Sequence, residues 1–230
     1  MTNKNDNLIP SHSENPISFN GEMVRTILSG DKTQTRRIIK NTGIYDRLIS
    51  HECFDKPGFK YLYKECPFGN PGDFLWVKET WTGPYATAEE ASLIQADADD
   101  FNFDNLETRD RCAYAADGLK PDFLESDYVV KKWRPGIHMP RWASRIFLQI
   151  NDIRIEHLQS ISENDIISEG IKEDEINRLG KFRDLWERTG GTWIENPWVW
   201  VITFKRIDNL PIRKFITSQA SKLKLIKGKS

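Results

Sequence analysis

The spacing of apolar residues near the start of the chain predicts one short amphipathic helix within residues 16–29. Its apolar pairs, four positions apart, are Met23 with Ile27 and Val24 with Leu28. Residues at this spacing lie on one face of a helix, so the pairs form an apolar stripe. Gly30 follows at the position where glycine commonly ends a helix. The pattern therefore predicts a helix that packs on a core and ends at Gly30.

Four other stretches have the alternation or the apolar run of a β-strand. They are Phe74–Lys78, Arg111–Ala116, Ile146–Ile155 and Trp198–Phe204. The alternation changes phase at Asn151 and Asp152, which predicts a bulge or bend within one long strand. The last stretch is apolar on both faces, which predicts a strand covered on both sides.

Two further helices are predicted in the C-terminal half. Ser162, with Asp165 three residues later, resembles a capping box for a helix that stops at Gly170. A second helix, about Glu173 to Arg188, carries apolar residues on one face: Ile176, Leu179, Phe182, Leu185 and Trp186. Strands outnumber helices and seldom alternate with them as β-α-β. The sequence therefore predicts an α+β fold, a small mixed β-barrel with peripheral helices.

The remaining segments indicate the domain organisation. Residues 41–70 have an irregular pattern and are interpreted as a long loop, and residues 86–106 as a helix and loop inserted on the surface. The proline-rich residues 133–142 are interpreted as an ordered loop. We predict a disordered N-terminus (1–15), one domain (16–207) with a surface insertion at about 80–132, and a basic tail (208–230).

Composition and charge narrow the class of protein. The chain has 230 residues, of which 29% are charged and 38% hydrophobic. It has no apolar run of about 18 residues and no signal-peptide pattern, so we expect no membrane association. Three cysteines without framework spacing indicate a reducing cytoplasm. From Lys205 onward the net charge is +7, although the whole chain carries −1. This tail either contacts phosphates or is a solubilising terminus.

The segment Gly30–Arg37 concentrates groups that can carry chemistry. Lys32 can serve as a nitrogen nucleophile once it loses its proton, and neighbouring arginine charges or burial favour that loss. The hydroxyl of Thr35 can relay a proton or hold an oxyanion. The alternative interpretation is a solvated basic turn.

The same segment resembles a family signature. Gly-x-Lys-x-x-Thr-x-Arg after an amphipathic helix is similar to the signature of the ASCH family, relatives of the PUA RNA-binding fold. Three other segments also resemble the family: Pro71–Val77, Leu158–Gly170 and Trp200–Lys205. The resemblance covers about residues 16–207, and Ile137–Ala143 is typical of the larger, tryptophan-rich ASCH proteins of phages and prophages.

The resemblance implies a catalytic trio. In the ASCH-related N4-acetylcytidine amidohydrolases, a lysine and a threonine of the signature act with a glutamate of the later helix. The matching positions here are Lys32, Thr35 and Glu169, with Glu163 as the competitor for the carboxylate. Arg37 matches the signature arginine and either grips a phosphate or base edge or forms a salt bridge. Its neighbours Thr33 and Arg36 are further candidate contacts.

Other candidates are residues suited to contact a base. Glu79 can bond a base edge while Trp81 stacks on it, or the two are a rim carboxylate and a core tryptophan. His138, Arg141 and Trp142 form a similar set in the proline-rich loop. His51, Cys53 and Cys66 lack a metal-binding spacing, and no dinucleotide or phosphate-loop motif is present, so we predict no metal and no cofactor.

These observations lead to three functional hypotheses. The first is a cytoplasmic ASCH protein that recognises a nucleobase or modified nucleoside and hydrolyses an amide on it through Lys32, Thr35 and Glu169. The second is a non-catalytic module that binds RNA in the same cleft. The third is a phage accessory protein that acts through a protein partner.

Overall fold

A computed structural model of the chain describes residues 12–40, 65–83, 112–118, 133–172 and 175–208. The strands are β1 (Glu14–Ser18), β2 (Gln34–Ile38), β3 (Phe74–Lys78), β4 (Trp81–Thr82), β5 (Ala113–Tyr114), β6 (Phe147–His157) and β7 (Trp198–Ile207). The helices are α1 (Gly21–Ser29), α2 (Glu163–Ser168) and α3 (Arg178–Arg188). Short 3₁₀ turns lie at Ala115–Asp117, Gly136–His138, Arg141–Ala143 and Leu158–Ser160.

The main sheet has five strands in the order β1-β3-β6-β7-β2. The β1–β3 pair is parallel, and the other three pairs are antiparallel. The predicted mixed α+β class is confirmed. The sheet is not a closed barrel in the described part of the chain, because the edge strands β1 and β2 share no ladder. A side chain spans the two edges instead, since Arg37 donates to the carbonyl of Ser18 at 2.6 Å.

Helix α1 ends where the sequence predicts. The side chain of Asn20 accepts a hydrogen bond from the Met23 amide and caps the start of the helix. Val24 and Ile27 are buried, so the apolar stripe faces the core. Gly30 has φ +88°, a left-handed conformation that glycine adopts without the steric cost of a side chain.

The long strand β6 carries the predicted irregularity. Its register against β7 shifts between Ile150 and Asp152, which confirms the bulge. β7 is buried on both faces, as its sequence predicts. Trp198, Trp200, Ile202 and Phe204 belong to the core that contains α1. Val199 and Val201 belong to a second cluster beneath α2 and α3.

The two C-terminal helices differ from each other in how well the sequence predicts them. The capping box of Ser162 and Asp165 at the start of α2 is confirmed. Helix α3 begins at Arg178, later than the predicted Glu173, because Asn177 adopts a left-handed conformation and caps it. Ile176 lies before the helix with 89% of its surface exposed, so its predicted place on the buried face is wrong.

Several predicted segments are shorter than expected or lie outside the described residues. The predicted strand Arg111–Ala116 is a strand only at Ala113–Tyr114 and continues as a 3₁₀ turn. β1 begins at Glu14, inside the predicted N-terminal tail of residues 1–15. The predicted helix at 86–106, most of the insertion and nearly all of the basic tail lie outside the described residues. Among the residues that are described, no helix has the length and apolar character needed to cross a membrane.

Candidate functional site

The signature loop and the end of α2 run side by side. Lys32 forms an antiparallel backbone bridge with Glu169. The amide of Thr33 donates to the carbonyl of Ser168 at 2.8 Å, and the amide of Lys32 donates to the carbonyl of Thr26 at 2.9 Å. These bonds fix the end of α2 against the end of α1. Two segments far apart in the sequence therefore meet in a defined register.

Lys32 and Glu169 form a buried ion pair. Nζ of Lys32 donates to Oε2 of Glu169 at 2.5 Å and to the Glu169 carbonyl at 2.8 Å. Lys32 is 2% exposed and Glu169 is 4% exposed. Burial lowers the pKa of Lys32 below its ordinary value, and the Glu169 carboxylate opposes that shift. Removal of the pair from water thus favours the neutral form of the amine, while the neighbouring carboxylate favours its charged form.

Arg36 holds the other oxygen of Glu169. Its NH1 donates to Oε1 of Glu169 at 3.1 Å and to Gln34 at 2.8 Å. Its NH2 lies 2.5 Å from Glu156 and 3.2 Å from Asp165. The side chain of Arg36 has no exposed surface. The guanidinium that the sequence predicts as a ligand contact is therefore surrounded by carboxylates.

Asp165 links this network to the capping box of α2. Burial alone would raise the pKa of Asp165, but hydrogen bonds from Ser162 and Arg154 outweigh it and lower the pKa to about 2. The completed network has three cations and three carboxylates: Lys32, Arg36 and Arg154 with Glu156, Asp165 and Glu169. When all six groups are ionised, the network is electrically neutral.

Gly170 allows the two segments to approach. It has φ +95°, and a Cβ there would lie 3.0 Å from Oγ1 of Thr26 and 3.2 Å from Cβ of Lys32. Only glycine combines this conformation with such close packing. Gly170 therefore contributes to the placement of Glu169 beside Lys32.

Replacing Gly170 by alanine should lower the free energy of unfolding by about 2–4 kcal/mol, since strain and overpacking add. Gly190→Ala is the matched control, because Gly190 has φ +89° but no atom within 4 Å of its Cβ position. The control should cost only about 1 kcal/mol. Urea denaturation measures both variants. Equal losses would show that the contacts with Thr26 and Lys32 do not restrict this position.

A cavity of about 370 Å³ lies above the buried pair. Its polar lining includes Ser18, Thr35, Arg36, Arg37, Lys78, Glu169 and Arg188, and its apolar lining includes Phe19, Met23, Ile137, Phe182, Leu185 and Trp186. Small ligands bind in clefts of this size with mostly apolar walls and a few polar groups. Glu169 lines the cavity and Lys32 does not, so Glu169 is the member of the pair that a ligand meets first. A smaller cavity of about 180 Å³, beside Leu179 and Trp193, contains none of the signature residues.

Arg37 faces the same cavity. Its NH2 donates to the Ser18 carbonyl at 2.6 Å, and its guanidinium lies 4.9 Å from the ring centre of Phe19. Its Nε is buried without a hydrogen-bond partner. Burial lowers the pKa of Arg37, although the Glu169 carboxylate opposes the shift. Among the described residues, no carboxylate forms a salt bridge with this guanidinium.

The two signature threonines differ in position. Thr35 is buried in β2 and is among the residues that line the cavity. Thr33 is exposed and takes part through its backbone, since its carbonyl accepts from the Phe204 amide at 2.8 Å. Glu163, the competitor for the functional carboxylate, is exposed and pairs with Arg178 at 2.8 Å. Glu169 is thus the carboxylate that lies beside Lys32.

Glu79 and Trp81 are not among the residues that line the cavity. Glu79 is 1% exposed and its two oxygens pair with Arg145 at 2.9 and 3.1 Å. Burial raises the pKa of Glu79, and Arg145 opposes that shift. Trp81 is 1% exposed and packs edge-on against Trp142, with ring centres 5.7 Å apart. Both side chains are structural in this arrangement.

The proline-rich loop contributes backbone and apolar groups to the cavity. Gly136 and Ile137 line it, whereas His138 is exposed and Trp142 packs on Trp81. Arg141 pairs with both oxygens of Glu14 at 2.6 and 2.9 Å. The loop is therefore ordered by contacts with β1 and with the tryptophan cluster. It places a carbonyl, that of Ile137, within 2.6 Å of Nζ of Lys78.

Sequence reasoning missed Glu156 and Asp165 as partners of the site. Glu156 lies in β6, where alternation indicates only that its side chain points to one face. Asp165 is used in the sequence argument as a cap, and its pairing with Arg36 has no local signal. Within the described ranges, no group of three potential ligands could hold a metal ion. His51 and Cys53 lie outside those ranges, and burial raises the pKa of Cys66 to about 11.

Comparisons with known proteins give one structural similarity. The sequence matches no protein-family profile, and no curated protein matches it. The fold is similar to a crystal structure of an ASCH domain from Lactobacillus crispatus JV V101, with 11% sequence identity and a TM-score of 0.34. The alignment covers 84% of this chain and 79% of that chain. The similarity is remote.

Proposed function

We propose that this chain is an ASCH-type protein that recognises a nucleobase and hydrolyses an amide on it, as the N4-acetylcytidine amidohydrolases do. The observation that carries the proposal is the contact of 2.5 Å between Nζ of Lys32 and Oε2 of Glu169 beneath a cavity. A buried lysine–carboxylate pair supplies a base and an acid at one point. Thr35 adds a hydroxyl to the same cavity.

The pair can exist in a form suited to hydrolysis. Transfer of one proton from Lys32 to Glu169 gives a neutral amine beside a carboxylic acid. The amine then accepts a proton from a water that adds to the amide carbonyl, and Thr35 stabilises the oxygen anion. Glu169 gives its proton to the nitrogen of the base. The amide C–N bond breaks, and the products are a carboxylic acid and the exocyclic amine.

Glu169 lies between Lys32 and the cavity, so this mechanism has a structural requirement. The hydrogen bond of 2.5 Å must open for the amine to reach a water or substrate. Arg36 can hold Glu169 during that step, because it bonds the other carboxylate oxygen. We expect substrate binding to drive the opening, since a donor on the base would compete with Lys32 for Oε2.

A second function, a non-catalytic nucleic-acid-binding module, is favoured by the depth of Lys32. Its side chain has no exposed surface and makes two hydrogen bonds to Glu169. A lysine in this position can be structural and hold Glu169 in place. Glu169 would then form hydrogen bonds with the edge of a base in the cavity. The two functions share the cavity and differ only in whether the ion pair opens. The phage setting and a protein partner rest on the sequence resemblance alone.

Release of cytidine from N4-acetylcytidine tests the proposal directly. The hydroxyl of Thr35 is the group to vary, because Thr35→Val keeps the shape and removes the hydrogen bond. We expect Thr35→Val to lower kcat by about 10²–10³-fold and Thr35→Ser to retain most activity. A wild-type protein that hydrolyses none of a panel of N4-acylated cytidines, yet binds cytidine, would favour the binding module.

A further inference from the structure

The cations that line the cavity are not balanced in the same way. Arg36 belongs, together with Lys32 outside the lining, to the network of three cations and three carboxylates and is neutralised there. Arg37 and Lys78 lie outside that network, and neither has a carboxylate partner among the described residues. Arg188, at the rim, has Glu22 at 3.5 Å. The cavity therefore combines one carboxylate with an excess of positive charge.

Arg37 and Lys78 are held around one point of the backbone. Ser18 of β1 is in register with Lys78 of β3, and the next residue, Phe19, donates its amide to the Lys78 carbonyl at 3.0 Å. The carbonyl of Ser18 accepts from NH2 of Arg37 at 2.6 Å. Nζ of Lys78 is anchored on the Ile137 carbonyl at 2.6 Å. Both cations are thus oriented by neutral carbonyl groups, which do not cancel their charge.

The hydrogen-bonding capacity of Arg37 is incompletely used. Its Nε is buried and has no acceptor, which costs stability unless a ligand supplies one. A half-buried, charged and partly unsatisfied guanidinium beside a cavity suits an oxyanion, because the planar fork of arginine matches phosphate geometry. The base and the phosphate of one ligand must occupy different parts of the cavity. The Glu169 carboxylate would repel a phosphate, so the phosphate must bind away from Glu169.

We propose that Arg37 and Lys78 form a phosphate subsite, so that the ligand is a nucleotide, free or within a strand, rather than a nucleoside. The position of the base at Glu169 rests on the proposed function, whereas the subsite does not. The phosphate of a mononucleotide and that of an RNA strand share this chemistry. The subsite contributes binding and orientation and takes no part in bond breaking.

Calorimetric titration of the full chain with cytidine and with cytidine 5′-monophosphate tests the subsite. Both are products of the proposed reaction and are not consumed. We expect the monophosphate to bind at least about tenfold more tightly at low salt, as a charge-assisted contact gives. Arg37→Gln should reduce the monophosphate's affinity to that of cytidine and change the affinity for cytidine less than about threefold. Lys78→Gln should have the same effect to a smaller extent.

Lys205→Gln removes an exposed lysine of β7 that is not among the cavity-lining residues and should change neither affinity. The subsite would be overturned if the wild type binds cytidine and the monophosphate equally or binds neither. It would also be overturned if Arg37→Gln reduces the affinity for both ligands equally. If Arg37→Gln has a much lower melting temperature than the wild type, the affinities of Lys78→Gln alone test the subsite.

Two further comparisons identify the source of the phosphate and separate the subsite from catalysis. A short single-stranded RNA that binds much more tightly than the monophosphate, with affinity falling steeply with salt, would assign the subsite to a strand. Comparable affinities would assign it to a free nucleotide. Selective binding of the monophosphate without any turnover of acylated cytidines would retain the subsite and refute hydrolysis. Turnover with the same KM for acylated nucleoside and acylated nucleotide would support hydrolysis and refute the phosphate subsite.

Discussion

Replacing Lys32 by methionine should abolish amide hydrolysis while leaving a folded protein. Methionine matches the lysine side chain as far as Cε and removes the amine that, in the proposed mechanism, accepts the proton of water. We expect kcat/KM to fall by at least about 10³-fold. Glu169 keeps Arg36 at 3.1 Å, so the carboxylate is not left without a partner. Release of cytidine from N4-acetylcytidine measures the effect.

The structure favours methionine over arginine at this position. Arginine keeps the charge but is larger, and the side chain of Lys32 has no exposed surface. An arginine would displace Glu169, so a loss of activity would not distinguish a missing base from a shifted acid. Lys40→Met serves as the control, because Lys40 is exposed just after β2 and is not among the cavity-lining residues.

The dependence of the reaction on pH gives a second readout for the same lysine. Burial lowers the pKa of Lys32 from 10.5, so the pair loses its one proton at a lower pH than a free lysine would. The proposed mechanism needs that proton for the leaving nitrogen, so turnover should fall as pH rises through the lowered pKa of Lys32. Between the folded and unfolded pKa values, the unfolded chain binds more protons, so stability rises with pH. Lys32→Met should lose both trends, and a variant with turnover within tenfold of wild type would contradict the assignment.

The sequence predicts the fold best where the signal is local. The spacing of Met23 and Ile27, the glycine at position 30 and the capping box of α2 each act within a few residues, and the structure has all three. The start of α3 has no comparable signal. Asn177 ends the irregular segment in a left-handed conformation, which leaves Ile176 outside the helix.

The site illustrates what alternation along a strand can and cannot show. In β2, Gln34 and Arg36 point to one face, and Thr35 and Arg37 point to the other. Alternation cannot show that α2 and β6 bring carboxylates to the face of Arg36. For the same reason the sequence groups Arg36 and Arg37 as equivalent ligand contacts. In the structure both arginines line the cavity, but the guanidinium of Arg36 is held by carboxylates, whereas that of Arg37 has no carboxylate partner among the described residues.

Long-range pairing also explains Glu79 and Trp81. Their sequence neighbourhood places a carboxylate beside an indole, which is consistent with a base-binding pair. Glu79 instead bonds Arg145, which is 66 residues away and belongs to no motif. Trp81 is covered by the ordered loop that contains Trp142. Only the tertiary structure decides whether such residues face a ligand or each other.

Replacing Arg36 by methionine should produce the largest loss of stability. Methionine keeps most of the apolar stem, but it removes the charge that lies among Glu156, Asp165 and Glu169. Removing one partner from a buried ionic network typically costs about 3–5 kcal/mol, because the remaining charges are desolvated and repel one another. We expect a loss of this size in the free energy of unfolding at pH 7, measured by urea denaturation.

Arg178→Met is the matched control, because Arg178 of α3 pairs at 2.8 Å with Glu163 of α2, whose side chain is exposed. It should cost less than about 1 kcal/mol. The difference between wild type and Arg36→Met should narrow as the solution becomes acidic. The pKa of Asp165 is about 2 in the folded protein and 3.8 ordinarily, so its contribution is complete above pH 3.8 and is lost as pH falls towards 2. NH2 of Arg36 lies 3.2 Å from the carboxylate of Asp165, so the variant removes one of the cations beside Asp165 and should lose less stability on acidification. A constant difference from pH 7 to about pH 3 would mean that Arg36 acts through packing alone.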